Sequence, residues 1–470
     1  MVDGRDELEG GDCTYAGKRG DSARKFMTSA EYDVLIIGAG VAGLNAGRML
    51  AEAGLRVAIL EARNRIGGRI WSQFVAVGDS PLPLPVELGA EFVHGLPPET
   101  WSLIGQAGLS TFEMEGSPFW FDGSRLTATN ERQGSAEGVI EEMMRWAQGQ
   151  PRGSDMSFAE YLKGQALDAL TARAARNYVE GFNAADQERI SVAALAKQQA
   201  AEEAIDADRL FRLEAGYAAI PNFLAEKFVA AGGVLILEAP VKRIVWNRGA
   251  VSVCAATPGG DLPYRSNRAV ITVPLGVLQA QTIEFDPRPT EVLLQANRLR
   301  MGAVVRLTLV FERRFWDPRM SFLLAPGESP PTWWTLAPHE APLITAWAGG
   351  TKAELLLELI TADGDASALR DLSLATLAKI FALPVPDIRQ MLTSWHMHNW
   401  HSDEYARGAY SYVQVGALDA PEKMRIPVED TLFFAGEHTD VSGHWGTVHA
   451  ALAAGSSAAD RIMAGGRARG

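Results

Sequence analysis

Gly38, Gly40 and Gly43 stand between two short apolar runs, and Glu61 closes the second of them, in the stretch EYDVLIIGAGVAGLNAGRMLAEAGLRVAILEA that begins at Glu31. Glycine at these three places lets the chain turn tightly, lets backbone approach a pyrophosphate, and lets a helix pack close against a strand. An acidic side chain about 20 residues downstream can accept hydrogen bonds from a ribose hydroxyl pair. A glycine triad alone is weak, because glycine-rich loops occur in folds that bind no nucleotide. Here strand-length run, helix-length stretch, second apolar run and terminal Glu61 agree, so the unit reads as a βαβ dinucleotide-binding site.

The elements around this unit follow from periodicity. From Asp155 to Glu203 the chain reads mostly as helix, SFAEYLKGQALDALTARAARNYVEGF keeping apolar residues at helical spacing with few breakers. This block falls outside a nucleotide fold. Around Gly216 the composition shifts: AIPNFLAEKFVAAGG predicts a helix closed by glycine, VLIL a buried strand, VKRIVWNRGAVSVCAA a hairpin turning at Asn247 to Gly249, and RAVITVP a further buried strand. These pieces return to the first sheet. From Met301 to about His398, strand-like runs (VVRLTLVF, LITAWAGG) alternate with two helix-like stretches beginning near Thr351 and Ala366. The C-terminal TLFFAGEHTDVSGHWGTVHAALAAGSSAADRI reads as strand, glycine-rich loop and small-residue helix, and such a loop before a helix start can meet a cofactor.

At 470 residues and 47% hydrophobic content the chain can bury large cores, and two domains are expected. Two cysteines, Cys13 and Cys254, build neither a disulfide framework nor a cysteine metal site and suit a reducing cytoplasm. A formal charge of -13 argues against a nucleic-acid footprint. The longest apolar run near the front, Val34 to Leu44, is too short to span a bilayer, so no membrane anchor is expected. Residues 1–30, polar and without periodicity, are expected to form a disordered leader.

The next residues make the reading specific. After Glu61 comes ARNRIGGRIWSQ, whose Gly67, Gly68 and Arg69 resemble the second FAD signature of the flavin-containing amine oxidase family, which includes monoamine oxidases, polyamine oxidases and flavin histone demethylases. Further resemblances follow in order: VELGAEFVHG, VKRI, VITVPLGVLQAQTIEFDPRP, MGAVVRLTLVFERRFW, WHSDEYARGAYSYV and LFFAGEHTDVSGHWGTVHAALAAG. The resemblance implies an α/β fold: a Rossmann-like FAD-binding domain with a parallel sheet (31–95, 213–300 and 396–470) and an α+β substrate domain with a mixed sheet and helices (96–212 and 301–395).

It also implies roles. FAD would be held by Gly38, Gly40, Ala42 and Gly43 at the turn, and by Glu61, Ala62 and Arg63 at the end of the second strand. Gly68 and Arg69 would meet the pyrophosphate, where a guanidinium pairs with phosphate oxygens. Gly89, Ala90 and Glu91 would run beneath the isoalloxazine ring, and Val241 would meet adenine. Gly436 and Glu437 would lie on the phosphate or ribityl side, with Thr447 and Val448 at the flavin's pyrimidine end. The candidate catalytic residues are Arg306, Tyr410, Trp400 and Thr447: Trp400 near the ring, Tyr410 as one wall of an aromatic slot.

Three departures from the family pattern carry expectations. Ala409 stands where the monoamine oxidases carry the flavin-attaching cysteine, so FAD is expected to be non-covalent. Thr447 stands where those enzymes have a second cage tyrosine. Arg306 replaces the lysine that in much of the family holds a water near flavin N5; arginine keeps the charge but is forked, and could also bind a substrate carboxylate bidentately.

The implied reaction is oxidation of an amine C–N bond to an imine, reduced flavin passing electrons to O2 or another acceptor. The partners expected are a small-molecule amine, O2 or another acceptor, and a second copy in a homodimer, with no nucleic acid and no membrane. A desaturase-like oxidoreductase and a non-catalytic FAD-binding scaffold or sensor are the alternatives. Histone demethylation is not expected, since the chain has no room for the long helical insertion of those enzymes. His396, His398 and His401 cluster in WHMHNWH without a convergent further ligand, and no metal is assigned. His94 and His449 are placed either at the substrate cavity or in ordinary packing.

Overall fold

The computed structural model describes residues 31–77, 83–128, 131–151 and 153–467. The expected leader, 1–30, lies outside them.

The runs VLII and VAIL become neighbouring parallel strands, Tyr32–Ile37 and Val57–Leu60, and Val57–Leu60 is buried throughout, as parallel strands covered on both faces must be. Side chains alternate across the sheet. Val34 and Ile36 pack with the helices Val41–Glu52, Ala219–Ala230 and Val448–Arg467, while Leu35 and Ile37 pack on the other face with Ile244, Val253 and Phe434. Each such aliphatic side chain contributes roughly 1.5–3 kcal/mol when fully buried.

The complete sheet has eight strands, in the order Val234–Ile236, Val57–Leu60, Tyr32–Ile37, Gly260–Ile271, Ala250–Thr257, Val241–Asn247 and Glu284–Asp286, with Leu432–Phe434 also pairing with Gly260–Ile271. The hairpin at 247–249 forms where the sequence places it. A second turn at Pro258 and Gly259 adds another antiparallel pair, so this sheet is mixed rather than wholly parallel. That second turn was hidden because its flanks, ATPGGDLPYRS, are polar and break the apolar pattern.

The second sheet has seven strands, in the order Leu392–His396, Val304–Phe311, Leu343–Gly349, Thr332–Thr335, Met320–Leu324, Ser117–Phe121 and Leu126–Thr127. It is mixed as expected, its pairs antiparallel except Met320–Leu324 with Ser117–Phe121. Val304–Phe311 is buried along its whole length, Arg306 included. The helices near Thr351 and Ala366 appear as Gly350–Leu357 and Ser367–Ile380.

The stretch from Asp155 to Glu203 is three helices rather than one block. Ser157 starts Phe158–Lys163 with a capping box, Asp168 caps Ala169–Asn183, and Ser191 caps Val192–Glu203. A small sheet of Val93–His94, Leu210–Leu213 and Thr111–Glu113, absent from the sequence reading, carries the chain between the two larger sheets.

Candidate active site

At the first turn Gly38 takes φ 106°, the left-handed side that favours glycine. A side chain on Gly43 would put Cβ 2.0 Å from the Gly38 carbonyl, so this glycine seats the helix on the turn. Gly40 differs: a Cβ there meets nothing within 4 Å and would stand in open space beside the cavity. That is the cradle a pyrophosphate needs, with backbone able to approach and the N-terminus of Val41–Glu52 behind it.

Glu61 is buried, and its two carboxylate oxygens accept from Ala39 N (2.7 Å) and Arg63 N (2.9 Å). Burial raises its carboxyl above the ordinary value against the pull of these N–H groups. Each oxygen keeps a further lone pair for a ribose hydroxyl. The turn and the carboxylate therefore fit a dinucleotide.

Arg69 Nη1 donates to Glu437 Oε1 (2.9 Å) and to the Ala409 carbonyl (2.7 Å). Glu437 Oε2 accepts from Ser411 Oγ (2.6 Å) and Gly446 N (3.1 Å). Burial alone would raise Glu437, but Arg69, His438 and the Ser411 hydroxyl outweigh it and hold the carboxyl below its usual value. Arg69 is thus a fixed cation, tethered through Nη1, in the cavity wall where a phosphate would need one.

The segment after Leu84–Glu87 is gripped from two sides. Trp400 Nε1 donates to the Leu88 carbonyl (2.7 Å), and Arg306 Nη1 donates to the Gly89 carbonyl (2.8 Å). Gly89 admits no side chain, since a Cβ would lie 1.9 Å from the Arg69 carbonyl. Glu91 then receives Arg306 Nη2 (2.7 Å), Arg212 Nε (2.8 Å) and Trp334 Nε1 (2.9 Å). Burial would raise Glu91, but Arg306 and Arg212 dominate and hold its carboxyl low.

At the far end of the chain Thr447 caps the last helix: its Oγ1 donates to the His444 carbonyl (2.7 Å) and accepts from Ala450 N (3.2 Å). The helix N-terminus, positive in its dipole, opens on the cavity at Val448. Tyr410 packs its ring against Gly446, where a Cβ would come within 2.8 Å, and donates its hydroxyl to the Phe182 carbonyl (2.8 Å). His94 and His449 also line the cavity, with His94 Nδ1 and His449 Nε2 buried and without hydrogen-bond partners. Burial pushes them down to about 4 and about 3, so both imidazoles are neutral near pH 7.

One cavity of about 1210 Å³ brings the site together, with Arg212 outside it behind Glu91. Of the site residues expected from sequence, Gly43 alone stands back from it, in the packing role just described; Ala42, Ala62, Arg63, Gly68, Ala90, Val241 and Gly436 line it with the others. Sequence reasoning missed Arg212, Trp334 and Ser411. Only Ser411 had a signal, its place in the ARGAYSYV motif.

The histidine cluster disperses. The alternation in WHMHNWH predicts that His396 and His398 share one face of a strand, but His396 ends its strand and meets Ser394 and Gln73, whereas His398 lies beyond it and pairs with Asp403 (2.7 Å). Among the described residues no group of three His, Cys, Asp or Glu side chains is placed to hold a metal ion.

Comparison with known proteins agrees with this geometry. The family model described as flavin containing amine oxidoreductase matches residues 41–463. The chain is 30% identical to polyamine oxidase 2 of Arabidopsis thaliana, over 97% of this chain and 91% of that protein. It is 28% identical to lysine-specific histone demethylase 2 of Homo sapiens, over 89% of this chain but 52% of that longer protein. Wild-type putrescine oxidase bound to putrescine superposes with a TM-score of 0.77 at 25% identity, covering 92% of this chain and 99% of that one. A glycine turn shaped for a pyrophosphate, a tethered arginine beside it, and matches over most of the chain lead to one conclusion: the chain belongs to the flavin-containing amine oxidoreductase family, a group of FAD enzymes that oxidise amines.

Proposed function

We propose that the chain oxidises a C–N bond of a diamine or polyamine, with O2 reoxidising the flavin and hydrogen peroxide as the second product. The observation that carries the substrate class is the charge of the cavity wall outside the cofactor set. Glu137, Glu141, Glu202, Glu203 and Asp208 line it beside the cations Lys242, Lys352 and Arg407, and none of these five carboxylates makes an ion pair among the described residues. Burial above all, with Asp208 and Glu203 adding to it, raises Glu202 to about 7 against a hydrogen bond from Gln198. A carboxylate held in this state, with four exposed carboxylates around it, favours a ligand that brings its own cation.

FAD, held non-covalently, supplies the two-electron acceptor. The chain's residues then position and select. Trp400 and Arg306 fix the Leu88–Gly89 carbonyls, Tyr410 walls the slot with its hydroxyl tied to Phe182, and neutral His94 and His449 offer acceptors to an amine without adding positive charge. Desolvation in this wall favours the uncharged form of the reacting amine, and the acidic patch receives the ammonium that stays charged.

The same reading assigns the flavin unit to 31–95, 213–300 and 396–470, a reducing cytoplasm, and a homodimer. No helix among the described residues is long and apolar enough to cross a membrane. The test is a kcat/KM series over monoamines, diamines and longer polyamines for the native chain and Glu202→Gln. A second ammonium should improve kcat/KM by about tenfold or more, the scale of one charge-assisted hydrogen bond, and Glu202→Gln should erase most of that gain. Equal values across the series would refute the substrate class.

A further inference from the structure

We infer that Glu91 is a specificity-determining residue: it fills, with the chain's own carboxylate, the anion site that Arg306 in the cavity wall and Arg212 behind it create, and so excludes amines that carry a carboxylate. The inference rests on the cavity being the amine site. An arginine beside an amine cavity is the natural partner for the carboxylate of an amino acid, because its planar fork matches two carboxylate oxygens. Here that partner is built in. Arg306 and Arg212 are each about 95% buried, and Glu91 Oε2 and Oε1 take Arg306 Nη2 at 2.7 Å and Arg212 Nε at 2.8 Å.

The remaining geometry locks the arrangement. Arg306 Nη1 is committed to the Gly89 carbonyl, Arg212 Nη2 to the Thr335 carbonyl (2.9 Å), and Trp334 Nε1 adds a third donor to Glu91. Arg306 Nε and Arg212 Nη1 stay buried without hydrogen-bond partners, so the site carries donors beyond those that Glu91 takes, with Glu87 as the next carboxylate. A ligand carboxylate must displace an intramolecular one, whose effective concentration is far higher than any free solute reaches. The acidic patch at Glu202 and Asp208 opposes an anion on the way in. The bidentate capture of a substrate carboxylate by Arg306, one of the expectations from sequence, is therefore pre-empted by Glu91.

The experiment uses the FAD-loaded protein and reads binding rather than turnover. Acetate and benzoate are titrated against the native chain, Glu91→Gln and Glu91→Ala, following the flavin absorbance. L-Lysine and cadaverine, which differ by one carboxylate, are compared as ligands of the native chain. Acetate and benzoate should perturb the flavin of Glu91→Ala saturably, at roughly tenfold lower concentration or less than for the native chain, with Glu91→Gln between. Cadaverine should bind the native chain at least about tenfold more tightly than L-lysine.

The inference falls if the carboxylates act on native and variant proteins alike, or if L-lysine matches cadaverine. Should Glu91→Ala fail to fold for want of its buried counter-charge, Glu91→Gln and the L-lysine comparison still decide. A chain that oxidises no amine, yet admits acetate only when Glu91 is removed, would sink the proposed reaction while keeping Glu91 as the carboxylate that fills the anion site.

Discussion

Arg69 and Glu437, 368 residues apart in sequence, form a 2.9 Å ion pair in the wall of the cavity. The pair ties the segment after the first βαβ unit to the loop after the strand Leu432–Phe434, so one contact joins two distant stretches of the chain in the cavity wall. Glu437→Gln keeps the shape and removes the charge that holds Arg69. FAD should then bind about ten- to a hundredfold more weakly, the loss of one charge-assisted hydrogen bond of roughly 1.5–3 kcal/mol. Flavin content after gel filtration, and a direct Kd for FAD, check it; unchanged retention would remove Arg69 from the phosphate role.

Gly40 and Gly43 should separate under the same substitution. Gly43→Ala drives a Cβ to 2.0 Å from a backbone oxygen and should destabilise the protein even without FAD. Gly40→Ala meets no protein atom and has an ordinary extended backbone, so apo stability should hold within about 0.5 kcal/mol while FAD binding falls steeply. Urea melts of both apo-proteins beside FAD titrations distinguish the two roles.

Thr447 has a structural duty whatever it does for the flavin. Losing its cap on Val448–Arg467 in Thr447→Ala should cost about 1 kcal/mol, and Thr447→Ser should restore it. Equal melting midpoints for native and Thr447→Ala proteins would mean that another group caps this helix.

Glu87 makes stability depend on pH near neutrality. Burial raises its carboxyl to about 7, despite donors from Ser72 Oγ and Tyr217 N. Its unfolded value is the ordinary 4.5, so the contribution is full below about pH 4.5 and is lost as pH rises through about 7. The loss is on the order of 3 kcal/mol at most. Glu87→Gln, which cannot ionise, should flatten the stability curve across that window; an unaltered slope in pH-dependent denaturation would show that Glu87 is already ionised at low pH.

What the sequence revealed divides along contact distance. Gly38, Gly40, Gly43 and Glu61 were readable because one local unit of strand, turn, helix and strand positions all four. Arg69, Trp400, Tyr410, Glu437 and Thr447 were readable through ordered motifs, although nothing local told that Arg69 and Glu437 would touch. The Glu91 cluster was not readable. Its members come from a loop, from Leu210–Leu213, from Val304–Phe311 and from Thr332–Thr335, and their meeting depends on how two sheets are set against each other. Arg306 drew notice as a departure from the family's lysine, but its partner could be found only in three dimensions. The hairpin turn at Pro258 and Gly259 escaped for a different reason: the strand ends that flank it are exposed and polar.

The most direct measurement is anaerobic mixing of the FAD-loaded chain with putrescine and longer polyamines while the oxidised-flavin absorbance band is followed. The expected result is a rapid, saturable loss of that band, reversed on admitting O2 with release of hydrogen peroxide. A band that persists at every amine concentration, with FAD demonstrably bound, would contradict amine oxidation and leave a flavin-binding protein whose electron donor is something else.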